Sequence, residues 1–241
     1  MKTVMNPITL SLAAALLLNG AAAAAQTPAA AQEKPQHKQG RLGNYDRTAR
    51  TLHAPMYDYY AQKIKTVTGI TEGVCLDVGS GGGYMGLALS KITDLDFIFL
   101  DISEAALKKA GKHIVEDGLQ KRAETLLADV HAIPLEDGSV DLVISRGSIP
   151  FWKDPAQGLA EIYRVLKEGG RAFVGGGKGS PEIRALIDAR RAELGMKPFA
   201  NSGKTHGDGM KRDYAALLLS RGITQFRIHQ GDDGRWIELW K

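Results

Sequence analysis

Residues 74–83 constrain the fold of this chain more than any other stretch, because an apolar strand signal runs directly into a cluster of glycines. Asp77, Gly79, Gly81 and Gly83 form a D-x-G-x-G-x-G pattern there. Glycines at these positions allow a sharp turn and a close approach of the backbone to a ligand, and a helix that follows presents its first amide groups to the same place. The pattern predicts a strand, a ligand-binding loop and a helix, with a nucleoside-containing cofactor as the occupant.

The glycine pattern alone leaves two alternatives open. Gly81, Gly83 and Gly86 also satisfy the G-x-G-x-x-G spacing of a dinucleotide-binding loop. A glycine cluster is also consistent with a plain turn between a strand and a helix. The remainder of the chain has to decide between them.

Composition sets the outer limits of the interpretation. The 241 residues, 44% of them hydrophobic, suffice for one α/β domain with a full core. The net charge of +4 is small and the basic residues are dispersed, so charge indicates no nucleic-acid partner. The single Cys75 cannot form an internal disulfide, and its apolar neighbours predict a buried thiol. The histidines and acids show no metal-ligand spacing, so we expect no metal site.

The N-terminal segment has the features of a secretory signal. Lys2 precedes an apolar stretch over residues 8–18, and a run of alanines ends at Ala25. We predict a cleaved signal peptide over residues 1–25, a flexible linker over 26–40 and a single domain over 41–241, in a periplasmic or secreted protein. The alternatives are a leader retained as an inner-membrane anchor and a disordered alanine-rich leader.

Strand and helix signals alternate along the domain, which is typical of parallel βαβ units. The predicted strands cover residues 74–78, 97–100, 123–128, 142–145 and 172–174. The predicted helices cover 55–67, 84–90 and 211–220, and three more follow Ser103, Asp154 and Ser180, the one after Asp154 running to Gly169-Gly170. Ser103 and Asp154 are residue types that cap helix N-termini, and we predict that role for both. Two further strands, over 223–229 and 235–240, flank a tight Asp/Gly turn and must be antiparallel neighbours.

This ending, added to five alternating units, resembles the class I S-adenosylmethionine-dependent methyltransferases, and within them the type 11 branch that acts on small molecules. The resemblance covers roughly residues 41–241 and rests on four segments in the right order: 74–83, 127–129, 133–143 and 161–170. It implies an α/β Rossmann-like three-layer sandwich with a seven-stranded, mostly parallel sheet and a C-terminal antiparallel hairpin. It also implies S-adenosyl-L-methionine as the cofactor.

The resemblance assigns roles to individual residues. Asp77 and the loop of Gly79, Ser80, Gly81 and Gly83 are expected to border the methionine and ribose parts of the cofactor. Asp101 is expected to accept both ribose hydroxyls. Ile102 is expected to pack on the adenine face, Asp129 to receive the adenine amino group, and the Val130 amide to lie beside it. Each acid has a structural alternative, since an Asp at the end of a strand often caps a helix.

Candidates for the acceptor side are less specific. Arg146 follows the fourth strand, where it is suited to pair with an anionic acceptor or to form a structural ion pair. Phe151 and Trp152 either wall an apolar acceptor or pack in the core. Tyr45, His53 and His206 are further candidates, His206 because a glycine-rich segment that could act as a mobile lid surrounds it.

Methyl transfer from a sulfonium is an in-line displacement with a good leaving group, so alignment of the reactants supplies much of the acceleration. We expect a small-molecule acceptor, no nucleic acid, and no membrane partner unless the leader is retained. A dinucleotide-dependent oxidoreductase requires neither an adenine-binding acid after the third strand, such as Asp129, nor the terminal hairpin. Because the cofactor is made in the cytoplasm and the leader indicates export, an exported, non-catalytic module that binds a nucleoside remains as the alternative.

Overall fold

The computed structural model describes residues 46–199 and 212–241. Its elements in chain order are α1 (Ala54–Thr68), β1 (Val74–Val78), α2 (Tyr84–Ser90), β2 (Asp96–Asp101), α3 (Glu104–Glu116), β3 (Ala123–Leu127), β4 (Val140–Arg146), a 3-10 turn (Ile149–Phe151), α4 (Pro155–Val165), β5 (Leu166–Gly176), α5 (Pro181–Glu193), α6 (Tyr214–Leu219), β6 (Phe226–Gly231) and β7 (Gly234–Trp240). A further helical turn covers residues 46–50. The predicted signal peptide and linker lie outside the described residues.

The seven strands form one sheet in the order β3-β2-β1-β4-β5-β7-β6. Strands β3, β2, β1, β4 and β5 pair in parallel, and β7 pairs antiparallel with both β5 and β6. The predicted mostly parallel sheet with a reversed C-terminal hairpin is confirmed. The strand order reverses between β1 and β4, and ligands of open α/β sheets bind in the crevice outside the carboxyl ends of such strands.

The central strands β1, β2 and β4 are buried on both faces, as expected when helices cover both sides of a parallel sheet, whereas the edge strands β3 and β6 are more exposed. Alternate residues of β4 belong to different cores: Leu142 and Ile144 pack with α1, α2, α3 and α5, whereas Val143 packs with α4 and α6. Cys75, on β1, is completely buried, as predicted. Helices packed through these two apolar cores onto either face of the sheet make the three-layer sandwich.

Local capping chemistry fixes the helix starts. The side chain of Ser103 accepts a hydrogen bond from the Ala106 amide (3.3 Å), and that of Asp154 accepts one from the Gln157 amide (3.0 Å). Each bond satisfies one of the amides that a helix leaves without an internal partner. Both caps were predicted from the sequence.

The end of α4 differs from the prediction. The helix ends at Val165, not at Gly169-Gly170, because Leu166 is fully buried and pairs with Val140 as the first residue of β5. Gly169, with φ of 80°, turns the backbone inside β5 and does not cap a helix. Burial of an apolar side chain in the sheet therefore outweighs the local stop signal of the two glycines.

Candidate functional site

The glycine loop leaves β1 in a conformation that only glycine adopts easily. Gly79, Gly81 and Gly83 have φ of 65°, 59° and 80°, in the left-handed region. A Cβ at Gly79 would also lie 2.4 Å from the Ser148 Cβ, so the loop after β4 packs directly against it. The Ser80 amide donates to the Leu100 carbonyl (3.0 Å), which ties the loop to the end of β2. The loop is thus held at the crevice where the strand order reverses.

Asp77 lies beneath this loop and is 1% exposed. One carboxylate oxygen accepts a hydrogen bond from the Gly86 amide in α2 (3.0 Å). Burial raises the pKa of Asp77 from 3.8 to about 7, the charge of Asp101 adds to the rise, and the Gly86 bond opposes it. A carboxyl group that changes charge near neutral pH therefore sits under the predicted cofactor loop.

Asp101 uses its two carboxylate oxygens to shape the end of β2. Oδ2 accepts from the Gly81 amide (2.8 Å) and Oδ1 from the Ser103 amide (2.9 Å). Each carboxylate oxygen can accept further hydrogen bonds, so these contacts leave room for ligand hydroxyls. The predicted role with a ribose stays a prediction, and the structure adds that Asp101 also fixes the glycine loop.

A cleft of about 520 Å³ opens at the carboxyl ends of β1, β2 and β4. It is lined by residues from four connections: Gly79 after β1, Asp101 and Ile102 after β2, Asp129, Val130 and His131 after β3, and Arg146, Ser148, Phe151 and Trp152 after β4. Ile102 lines the cleft and is 70% exposed, so its apolar side chain is accessible from the cleft. The cleft brings together the predicted ribose and adenine residues of two separate loops.

Asp129 lies on the far wall of this cleft. Its Oδ1 accepts hydrogen bonds from the amide of His131 (3.0 Å) and from the Nδ1 atom of the same residue (2.5 Å). Partial burial raises the pKa of Asp129, but the bonds from His131 outweigh it and hold the pKa below its usual value. Sequence reasoning missed His131, although its spacing of two residues from a site acid was a usable signal.

Arg146 occupies an aromatic setting at the end of β4. Its Nη2 atom donates a hydrogen bond to the Gly177 carbonyl (2.7 Å) and lies 2.9 Å from the Met56 sulfur. The guanidinium carbon lies 5.0 Å from the Tyr57 ring centroid and 5.7 Å from that of Tyr60. No carboxylate among the described residues lies within ion-pair distance of it. Its close contacts within that part of the chain are two ring faces, a sulfur and a carbonyl dipole.

A second pocket, of about 100 Å³, borders the glycine loop. It is lined by Tyr57, Asp77, Gly79, Ser80, Gly81, Tyr84, Met85 and Arg146, so it shares Gly79 and Arg146 with the large cleft. The Ser80 hydroxyl and the Arg146 Nε are buried there without a hydrogen-bond partner in the described structure. Buried polar atoms normally have partners, so this pocket fits a polar ligand group.

Of the two aromatic residues after β4, Trp152 packs in the core and Phe151 lies at the cleft. Trp152 is buried and packs on Gly158 of α4, and its indole nitrogen donates to the Ser148 hydroxyl (3.2 Å). Phe151 is 67% exposed at the rim of the cleft. One aromatic therefore supports the wall from the core and the other lines the rim of the cleft.

Of the remaining acceptor-side candidates, only His53 is among the described residues. Tyr45 and His206 lie outside the described residues. His53 is buried with its ring centroid 4.4 Å from that of Phe199. Burial, followed by the charges of Arg191 and Arg146, lowers its pKa to about 4, which makes it a weak proton acceptor at neutral pH.

Residues 46–199 and 212–241 contain no group of three potential metal ligands. In the same part of the chain, no helix combines the length and the apolar character that a membrane crossing requires.

Comparison with known proteins identifies the fold and its family. Residues 76–174 match the profile of a methyltransferase domain family. A protein of Methanococcus maripaludis, assigned to the S-adenosyl-L-methionine-dependent methyltransferases, has a crystal structure that superposes with a TM-score of 0.75 at 35% identity. That match covers 88% of this chain and 97% of the archaeal one.

Two curated relatives agree. The uncharacterized methyltransferase YdaC of Bacillus subtilis is 35% identical over 108 residues, 44% of this chain and 58% of the relative. A malonyl-[acyl-carrier protein] O-methyltransferase of Methylococcus capsulatus is 31% identical over 157 residues, 64% of this chain and 52% of the relative. The chain thus spans about half the length of each of these two proteins.

The sheet order and the glycine loop at its reversal point define a Rossmann-like nucleoside-binding protein. With the comparisons added, the chain belongs to the class I S-adenosyl-L-methionine-dependent methyltransferases. S-adenosyl-L-methionine is the cofactor that membership in this family assigns to it. Nothing in the comparisons supports the non-catalytic nucleoside-binding alternative.

Proposed function

We propose that this protein transfers the methyl group of S-adenosyl-L-methionine to a small-molecule acceptor by direct in-line displacement. The observation that carries the proposal is the meeting of two pockets at Gly79 and Arg146. The larger one offers Asp101, Ile102 and Asp129 to an adenosine group, and the smaller one offers unpartnered polar atoms. The cofactor would lie across both pockets along the glycine loop, so its methyl group would be placed near their boundary, beside Arg146.

In this proposal the bound cofactor supplies the activated methyl group and the protein supplies alignment. Asp101 and Asp129 would orient the nucleoside through hydrogen bonds, while the exposed Ile102 covers its apolar face. The glycine loop would hold the remainder of the cofactor close to the backbone. Positioning of this kind accounts for much of the rate of a displacement with a good leaving group.

We further propose that the acceptor carries an anionic group that pairs with Arg146. A partly buried guanidinium without a described carboxylate partner is costly, and an anionic ligand offsets that cost. Tyr57 and Tyr60 restrain the guanidinium by contact with its faces, so it is held ready for a ligand. Its own Nε, which is buried without a hydrogen-bond partner in the described structure, adds a donor at the same place.

The experiment for the acceptor is a methyl-transfer assay that detects S-adenosylhomocysteine with a panel of small acids, each paired with its neutral amide. We expect turnover of acids over amides, and we expect Arg146→Met to abolish that preference while Arg146→Lys retains part of it. The exposed Arg190→Met is the matched control and should behave as the parent protein. Equal turnover of acids and amides by the parent protein would contradict the anionic acceptor.

We propose in addition that residues 1–25 direct the protein to the periplasm or beyond. The proposal rests on the charged start, the apolar stretch and the alanine-rich end of that segment. N-terminal sequencing of the protein recovered from the periplasmic fraction should begin at Gln26. Recovery of the intact N-terminus from the membrane fraction would favour the anchored alternative.

A further inference from the structure

His131 connects the proposed adenine-binding acid to a helix on the other wall of the cleft. It follows Asp129 by two residues and lines the cleft, with 22% of its side chain exposed. Both ring nitrogens are engaged: Nδ1 lies 2.5 Å from Asp129 Oδ1, and Nε2 lies 3.1 Å from the Asp154 amide nitrogen. The ring therefore bridges two loops that the sheet topology brings together.

The partners of the ring fix its tautomer. The Asp154 amide can only donate, so Nε2 accepts and carries no hydrogen. The hydrogen of the neutral ring is therefore on Nδ1, which donates to the carboxylate of Asp129. A histidine held in one tautomer by a backbone amide is a directional donor.

This donor acts on one oxygen of Asp129 only. Oδ1 accepts from both the amide and the ring of His131, whereas Oδ2 accepts no hydrogen bond from the described part of the chain. The Asp129 side chain is 47% exposed in the cleft. Two donors on one oxygen restrict rotation of the carboxylate and leave the second oxygen as an acceptor for a ligand.

The other end of the bridge is well anchored. Asp154 caps α4 through the Gln157 amide (3.0 Å) and pairs with Arg221 (3.2 Å). The Gln157 side chain also donates to the His131 carbonyl (3.4 Å). Because His131 is tied to a capped helix, its ring is held in place when a ligand contacts Asp129.

We infer that His131 is a positioning residue that aligns the Asp129 carboxylate and thereby makes the cleft selective for a purine with an amino group over one with a keto group. The amino group of adenine donates hydrogen bonds, which the remaining carboxylate oxygen accepts. The keto oxygen of hypoxanthine would face that carboxylate as a second acceptor. This inference rests on the proposed placement of adenine at Asp129.

Two substitutions separate the two ends of the bridge. In His131→Asn the side-chain NH2 group takes the position of Nδ1, so donation to Asp129 is kept and the contact with Asp154 is lost. In His131→Gln the side-chain carbonyl reaches the position of Nε2, so the contact with Asp154 is kept and donation to Asp129 is lost. If His131 only linked the two loops, both substitutions would change the preference for the adenine compound to a similar extent.

The test is calorimetric titration of the whole protein with S-adenosylhomocysteine and with S-inosylhomocysteine. We expect the parent protein to favour the adenine compound by at least about tenfold, the scale of one hydrogen bond to a charged group. His131→Asn should keep most of that preference, and His131→Gln should reduce it several-fold. Asp129→Ala is the reference variant and should abolish the preference.

The outcomes distinguish failure of the inference from failure of the placement on which it rests. If Asp129→Ala abolishes the preference but His131→Asn and His131→Gln change it to the same extent, the positioning role of His131 is wrong. If the parent protein shows no preference, or if Asp129→Ala keeps the preference of the parent protein, adenine does not bind at Asp129. The inference then falls with the placement. Thermal unfolding of all variants checks that each one folds.

Discussion

Replacement of Asp77 by asparagine should remove a pH dependence of folding stability. The carboxyl group of Asp77 is almost fully buried, and burial, with a smaller effect of Asp101, raises its pKa from 3.8 to about 7. Between these two values the folded protein keeps a proton that the unfolded chain releases. The contribution of Asp77 to stability is therefore fully present below the lower value and is lost as the pH rises through the upper one.

The size of the effect follows from the two pKa values. With 3.8 in the unfolded chain and about 7 in the folded protein, proton linkage gives a loss of about 2.5 kcal/mol between about pH 5 and pH 8. The asparagine side chain does not titrate, and its carbonyl oxygen can still accept the Gly86 amide. The substitution thus removes the charge and keeps the local geometry.

The assay is urea unfolding of the parent protein and Asp77→Asn at both pH values, without ligand. All other titrating groups are common to the two proteins, so the difference between their pH dependences isolates Asp77. We expect the parent protein to lose about 2.5 kcal/mol more than the variant on going to the higher pH. Equal losses in the two proteins would refute the raised pKa and the burial that causes it.

Three further substitutions test other parts of the structure. Asp101→Ala removes the acceptor for two loop amides and should weaken S-adenosylmethionine binding by about 1.5–3 kcal/mol in calorimetry; unchanged affinity would contradict its role. Tyr60→Phe removes the hydroxyl that accepts from the Gly179 amide (2.9 Å) and should lower the unfolding free energy by about 1–3 kcal/mol in urea, whereas an effect near zero would contradict the importance of that bond. Gly158→Ala places a methyl group 2.8 Å from the Trp152 ring and should shift tryptophan fluorescence while destabilising the fold by about 1–3 kcal/mol; an unchanged spectrum would argue against the packing.

The sequence predicted those features that depend on neighbouring residues. The glycine loop between β1 and α2 was predicted because an apolar run and a cluster of glycines lie side by side in the chain, and the structure gives three of these glycines a positive φ. The caps at Ser103 and Asp154 were predicted for the same reason. Such signals need no knowledge of the tertiary structure.

Local sequence signals did not predict the features that depend on residues distant in the chain. The end of α4 at Val165 is set by the pairing of Leu166 with Val140, which local helix-stop rules do not include. The surroundings of Arg146 come from Met56, 90 residues earlier, and from Gly177 after β5. The bridge made by His131 depends on the meeting of its loop with the start of α4, which only the fold provides.

The central claim, that this cleft binds S-adenosylmethionine, is tested most directly by calorimetric titration of the purified protein with that compound, with S-adenosylhomocysteine and with oxidised NAD. The account predicts binding of the two sulfur nucleosides with a stoichiometry of about one, and no binding of NAD. Binding of NAD in preference to them, or of none of the three, would contradict it.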